Sequence, residues 1–133
     1  MAIEHLKPQG LMPAQGYVQA ILASGGRTVY VAGQGAYDAK GRLVGRGDHA
    51  AQARQAFRNV AAALAAAGAR PEHVVKATMY VVGLTDAVLA GFTQAMNDAL
   101  DGKPFPPTAS TLVGVERLAY PEMLIEIDAI AVV

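Results

Sequence analysis

Apolar positions recur along the chain in two rhythms, and the switches between them divide it into elements. Two runs, Gly16 to Ala23 and Arg27 to Ala32, flank Ser24-Gly25-Gly26. Tyr17, Val18, Ile21, Val29, Tyr30 and Val31 are strand-favouring side chains, and glycine permits positive φ, so the pattern predicts a β-hairpin. A turn at Asp38-Ala39-Lys40-Gly41 leads to Leu43-Val44, expected as a short edge strand. From Asp48 to Ala67 the period lengthens to that of a helix, with Ala53, Phe57, Val60, Ala61 and Leu64 on one face. Gln52, Gln55 and Asn59 fall elsewhere on it. Asp48 suits the N-cap and Gly68 the C′ position.

Arg70-Pro71-Glu72 breaks the helix, and Val74 to Val82 is β-branched and alternating enough to be a strand. A second helix is expected from Asp86 to Leu100, with Leu89, Phe92, Met96 and Ala99 inward. Gly91 inside it costs about 1 kcal/mol relative to alanine. Pro104-Phe105-Pro106-Pro107 is a rigid loop, and Ser110 to Val115 and Leu124 to Val132 are the last strands. The order is β-β-(β)-α-β-α-β-β, an α+β fold in one domain, residues 1–133. Two helices cannot cover both faces of such a sheet, so one face is expected to be left for assembly.

Composition sharpens that expectation. Hydrophobic residues make up 53 % of the 133 and charged residues only 17 %. So few charges cover a small monomer poorly, and burying apolar surface between subunits resolves the deficit. Lys plus Arg and Asp plus Glu number 11 each, without a basic stripe, which argues against nucleic acid as a partner. There is no cysteine, which excludes disulfides, thiolate nucleophiles and cysteine metal sites. His5, His49 and His73 have no ligand spacing, so a metal site would need tertiary convergence. Surface or capping roles are expected for His49 and His73. The early glycines lack the Lys-Ser/Thr of a phosphate loop and read as turns. No signal peptide or membrane-spanning run is evident, and a cytoplasmic location is the expectation.

Three stretches carry a resemblance. Ala51-Gln52-Ala53-Arg54-Gln55-Ala56-Phe57-Arg58-Asn59-Val60, ending at Ala67-Gly68, is similar to the first helix of the Rid/YjgF family. Val74-Val75-Lys76-Ala77-Thr78-Met79-Tyr80-Val81 resembles its central strand, and Leu124 to Val132 its C-terminal strand. Gly16-Tyr17-Val18-Gln19 and Gly33-Gln34 match near the front. The order and spacing of these modest motifs identify the chain as a member over nearly its whole length. The resemblance implies a chorismate-mutase-like homotrimer with small-molecule clefts between subunits. It also implies hydrolysis of reactive enamines and imines to a carbonyl compound and ammonia, without metal or organic cofactor. The family's older endoribonuclease label fits the neutral charge less well.

The resemblance assigns residues one by one. Active members bind a substrate carboxylate through an arginine on the penultimate strand, where a guanidinium donates two parallel hydrogen bonds. Aligning Val113-Gly114-Val115-Glu116-Arg117-Leu118 puts Ser110 at that position. Loss of a contact worth about 3 kcal/mol weakens carboxylate binding roughly a hundredfold. Ala32 stands where a small polar residue is usual, Gly91 replaces a polar residue on the second helix, and Leu112 lies two beyond Ser110. The preference for standard 2-imino acids is thereby put in question, and a neutral ligand fits better.

Glu126 matches the family's acidic position and shares a strand face with Asp128, Leu124, Ile130 and Val132. Two readings stand. One is a solvated outer face; the other is a cleft acid that positions water and moves a proton. Asp128 is also suited to a structural pair with a basic residue. Tyr17 is either a half-buried strand aromatic or a ligand contact across the interface. Gly33 is either a plain strand-end glycine or a point of close backbone approach. Arg117, seven positions after Ser110 on an extended chain, lies about 23 Å away and is not expected to replace the missing charge. Arg54 and Arg58 are expected to be solvated helix charges. Two hypotheses follow: an imine/enamine deaminase with Glu126 orienting water and Tyr17, Gly33, Ser110 and Leu112 lining the ligand, or a catalytically inactive trimeric small-molecule-binding protein.

Overall fold

The C-terminal alternation becomes the middle of a sheet. In the computed structural model, which describes residues 2–133, Ile125, Ile127, Ala129 and Ala131 are buried and the residues between them are half-buried. This strand, β6 (Ile125–Val132), is the last of eight elements. The others are β1 (Ala2–Leu6), β2 (Ala20–Ser24), β3 (Thr28–Gln34), α1 (His49–Ala65), β4 (Val74–Val82), α2 (Asp86–Asp98) and β5 (Ala109–Val115), with a 3₁₀ turn at Pro71–His73. β6 pairs antiparallel with β3 on one side and with β4 on the other. β5 adds in parallel to the far side of β4, giving the order β3-β6-β4-β5. The parallel step requires a crossover, and α2 supplies it.

Both helices pack on one face of this sheet. α1 starts where the sequence indicates: the Asp48 side chain accepts from the Ala51 amide, and Gly68 takes the left-handed conformation beyond the other end. Thr85 caps α2 in the same way. Phe57 on α1 is fully buried against Phe92 on α2 and Phe105 of the proline loop, with ring centroids 5.5 and 5.0 Å away. Such pairs add to the burial energy of the rings themselves. Arg54 and Asp98 form a 2.9 Å ion pair, and Arg58 donates to the Ala99 carbonyl, so both arginines tie α1 to α2. The ion pair is about one-third exposed and contributes little stability. The opposite sheet face carries no helix, as the count of helices implied, and Tyr30 stands 77 % exposed on it.

Four expectations change. The hairpin does not form: β2 pairs with β1 in a separate two-stranded ribbon, and β3 pairs with β6. The reason is positional. Gly25 and Gly26 both adopt positive φ, but they serve as a corner between two sheets. Leu43 makes only an isolated bridge to Tyr37, so the bracketed edge strand shrinks to one pair. β1 lies in a segment with no predicted strand. Gln52, placed off the packed face, is fully buried. Its amide donates to the carbonyls of Gly45 and Glu122 and accepts from the Leu124 amide, pinning α1 to the entry of β6. A buried polar group with its bonds satisfied escapes the desolvation penalty.

Candidate functional site

Register decides which candidate residues meet. Ser110 lies beside Ala77 and Leu112 beside Met79, both buried positions under the helices. Ser110 and Leu112 therefore face α2. They line a cavity of about 190 Å³ between β5 and α2, with Met79, Leu89, Phe92 and Met96 as its apolar wall. The loop before β2 closes it, bringing in Gln15, Gly16 and Tyr17. That loop is fastened by a hydrogen bond from the Val18 amide to the Thr108 carbonyl. Three of the predicted ligand residues thus converge within one chain.

The polar groups of this cavity are the side chains of Tyr17, Ser110, Gln15, Thr93 and Asn97, and no lining side chain carries a charge. Thr93 and Asn97 are additions that sequence reading missed. With Leu89 they recur every four residues along α2, a spacing that reads only as the helix's outer stripe until β5 is in place. Gly91 does not reach the cavity wall; a Cβ there would meet nothing within 4 Å.

Glu126 lies on the other side of the sheet. It stands opposite Tyr80, and Asp128 stands opposite Thr78, all on the face without helices. Gly33 joins it there. A Cβ on Gly33 would come within 2.8 Å of Glu126 Cδ and 3.0 Å of Cγ, so the carboxylate rests on bare β3 backbone, at a point where the β3–β6 register shifts. The approach needs glycine for space, not for its dihedral freedom. Within one chain the five candidates therefore form two groups: Tyr17, Ser110 and Leu112 under α2, and Gly33 with Glu126 on the open face.

The two acids of β6 differ in their bonding. Asp128 accepts from the Thr78 amide at 3.1 Å and from the Tyr80 hydroxyl at 3.2 Å. Its partners are thus an amide and a phenol, and the basic partner that the sequence left open is not among them. The Asp128 charge, with burial and that hydrogen bond, raises the Tyr80 pKa. Glu126 takes no comparable partner among the described residues and remains available to a ligand or to water.

A second acid–phenol pair was not foreseen. The Tyr37 hydroxyl donates to Glu122 at 2.9 Å, and the Tyr120 ring meets Tyr37 edge-on with centroids 6.2 Å apart. Burial first, and the Glu122 carboxylate second, push Tyr37 up to about 12. Tyr37 and Gly33 border a broad groove floored by Asn59 and Ala63 of α1. Asn59 donates to the carbonyls of Gly35 and Tyr37 and so holds the groove's rim.

The remaining candidates stay apart from both groups. Arg117 folds back on its own loop, donating to the carbonyls of Leu118 and Ala119. His49 contacts the Val82 carbonyl at 2.6 Å, and His73 accepts from the Arg70 amide in a capping arrangement. No group of three histidine or acidic side chains among the described residues is placed to hold a metal ion. No helix among them is long and apolar enough to cross a membrane.

Comparison with known proteins places this architecture. The family model described as Endoribonuclease L-PSP matches residues 8–133. The RutC family protein slr0709 of Synechocystis is 35 % identical over 127 residues, covering 93 % of this chain and 91 % of that protein. A 2-iminobutanoate/2-iminopropanoate deaminase of Dermatophagoides farinae is 32 % identical over 131 residues, covering 96 % and 91 %. The crystal structure of YyfB from Yersinia pestis, a Rid-family protein of unknown function, superposes with a TM-score of 0.89 at 37 % identity over the full length of both chains. With a family model matching residues 8–133, relatives above 30 % identity over nearly the whole chain and a full-length structural match, this protein belongs to the Rid/YjgF family.

Proposed function

We propose that this protein hydrolyses a small reactive enamine or imine that lacks a carboxylate, in a cleft completed by a second copy within a homotrimer. The observation that carries the reading is the uncharged lining of the Ser110 cavity. A carboxylate entering it would lose its hydration and gain no cation, which is costly. A neutral imine suits the hydroxyls of Tyr17 and Ser110 and the amide of Asn97, with its substituent against Leu112 and Met79. The 2-imino acids named for the Dermatophagoides relative are therefore not the favoured substrates here.

The chemistry moves both protons of one water to nitrogen, one at a time. Water adds to the imine carbon as a base takes its first proton and passes it to the imine nitrogen, forming a carbinolamine. The same group then takes the remaining hydroxyl proton and delivers it to nitrogen as the C–N bond breaks, releasing ammonia and leaving a carbonyl. Glu126 is suited to that role, being unpaired beside a bare backbone. Because it lies across the sheet from Ser110, the Glu126 that serves a given cavity belongs to a neighbouring copy. No metal or organic cofactor is required.

The test supplies imines generated in situ, a neutral one from an amine oxidase and 2-iminopropanoate from an amino-acid oxidase. Accelerated loss of the neutral imine, with little effect on 2-iminopropanoate, is expected. Ser110→Arg should reverse the preference, strengthening carboxylate binding roughly a hundredfold. The inactive small-molecule-binding protein is the second reading, favoured by the same absence of charge. Saturable binding of a neutral ketone with no acceleration of any imine would establish it and remove the first.

A further inference from the structure

The N-terminal ribbon and the edge of β3 are each incomplete, and each has the complement of the other. Among the described residues, β1 and β2 pair only with one another. A lone two-stranded ribbon is marginal in water, and this one leaves Leu22 55 % and Met12 71 % exposed on itself and its connecting loop. The outer edge of β3 is equally bare. Arg27 and Val133 exchange both backbone hydrogen bonds. Antiparallel pairs alternate, so Val29 and Val31 also bond toward β6, while Thr28 and Tyr30 direct N–H and C=O outward. β3 has neither a charge nor a proline, the usual protection of an open edge.

The sequence matches these two edges to each other across Ser24-Gly25-Gly26, yet one chain cannot join them as the structure stands. The Val18 amide is bonded to Thr108 at the start of β5, and Tyr17 sits in the cavity under α2. β5 and β3 are the opposite edges of the sheet, three strand spacings or about 14 Å apart. A hairpin would carry Val18 up along β3, away from Thr108. Keeping Tyr17 in its own cavity and laying β2 on its own β3 are therefore mutually exclusive.

We propose that the ribbon is exchanged between copies: β2 of one chain pairs along the free β3 edge of another, with the Gly25–Gly26 corner as the hinge. Exchange satisfies both edges, covers the ribbon's apolar side chains, and leaves Tyr17 in the cavity of its own chain. It concerns assembly and stands apart from the chemistry proposed above. Swapping an identical element is a low-cost route to closed oligomers.

The chain has no cysteine, so introduced thiols report without background. Leu22→Cys, or Ile21→Cys for the opposite strand face, is combined in turn with Thr28→Cys, Tyr30→Cys or Ala32→Cys. Each double variant is oxidised under native conditions and resolved by denaturing, non-reducing electrophoresis. Exchange yields covalent multi-chain species that revert on reduction. A single-chain product with both thiols consumed would mean a closed hairpin, and free thiols in every combination would mean that β2 does not meet β3; either overturns the proposal. Amide exchange on the unmodified assembly is a second measure. The outward Tyr30 amide should exchange at least about tenfold more slowly than in an unstructured peptide, and peptide-like exchange would contradict the exchange model.

Discussion

The covered and open faces of the four-stranded sheet are made by the same strands with opposite chemistry. Under the helices, Ala77, Met79, Ile125 and Ile127 lie beside Ser110 and Leu112, and polar groups are few and uncharged. On the other side Glu126 and Asp128 sit among Thr78, Tyr80 and Tyr30. Closure gives the first face a pocket with shape but no charge. Openness leaves the second an acid, Glu126, with no side-chain partner among the described residues. On the function proposed above neither face alone is a complete site, and the division follows from the two-residue period of a strand.

The largest expected effect breaks the covered face. Phe57→Ala removes the ring shared by Phe92 and Phe105, and a loss of about 3–5 kcal/mol is expected in urea unfolding. The open face should respond differently. Glu126→Gln should leave the unfolding midpoint nearly unchanged while slowing hydrolysis of a neutral imine by at least about a hundredfold, read by loss of imine absorbance. Equal loss of rate and stability would assign Glu126 to the fold alone.

A smaller effect sharpens the role of Gly33. Gly33→Ala drives a methyl into the Glu126 side chain and should displace it, lowering the rate about tenfold with a stability change near 1 kcal/mol. Wild-type rate in that variant would show that the bare backbone is unnecessary.

The smallest effect is a pH dependence at the groove rim. Tyr37 is raised to about 12 from an ordinary 10.0, so its contribution is complete below pH 10 and is lost as pH rises from 10 toward 12. Tyr37→Phe should flatten that part of the alkaline stability curve, measured by thermal unfolding at stepped pH. Glu122 has the opposite sign. Its pKa is lowered from 4.5, chiefly by its own backbone amide and then by Tyr37, so its contribution is present above pH 4.5 and fades with further acidification.

Much of this architecture is legible in the residues. Asp48 caps α1, Phe57, Val60 and Leu64 point inward, and the alternation of Ile125 to Val132 is that of a strand buried on one side. The pairing of Glu126 and Asp128 on one face follows from parity alone. Whether Ser110 shares that face does not, because parity within β5 and within β6 is connected only through their registers with β4. The hairpin misled for a related reason. Gly25-Gly26 permits both a tight turn and an open corner, and the choice lies in where Val18 is anchored, at a carbonyl 90 residues away. Gln52 was hidden because an amide pattern cannot announce that three backbone partners await it.

The place of β6 between β3 and β4 also governs how the molecule comes to be built. β4, α2 and β5 are neighbours in sequence and can condense as a local unit, whereas Val31 finds its partner Ala129 only about a hundred residues later. Pairing of that separation closes a long loop before any contact rewards it, and folding of such topologies runs toward the milliseconds-to-seconds range. During that interval the backbone of β3 lacks β6, its neighbour in the sheet. A chaperone that holds this segment, or a rival β3 from a second nascent chain, competes with β6 at the step that commits the sheet.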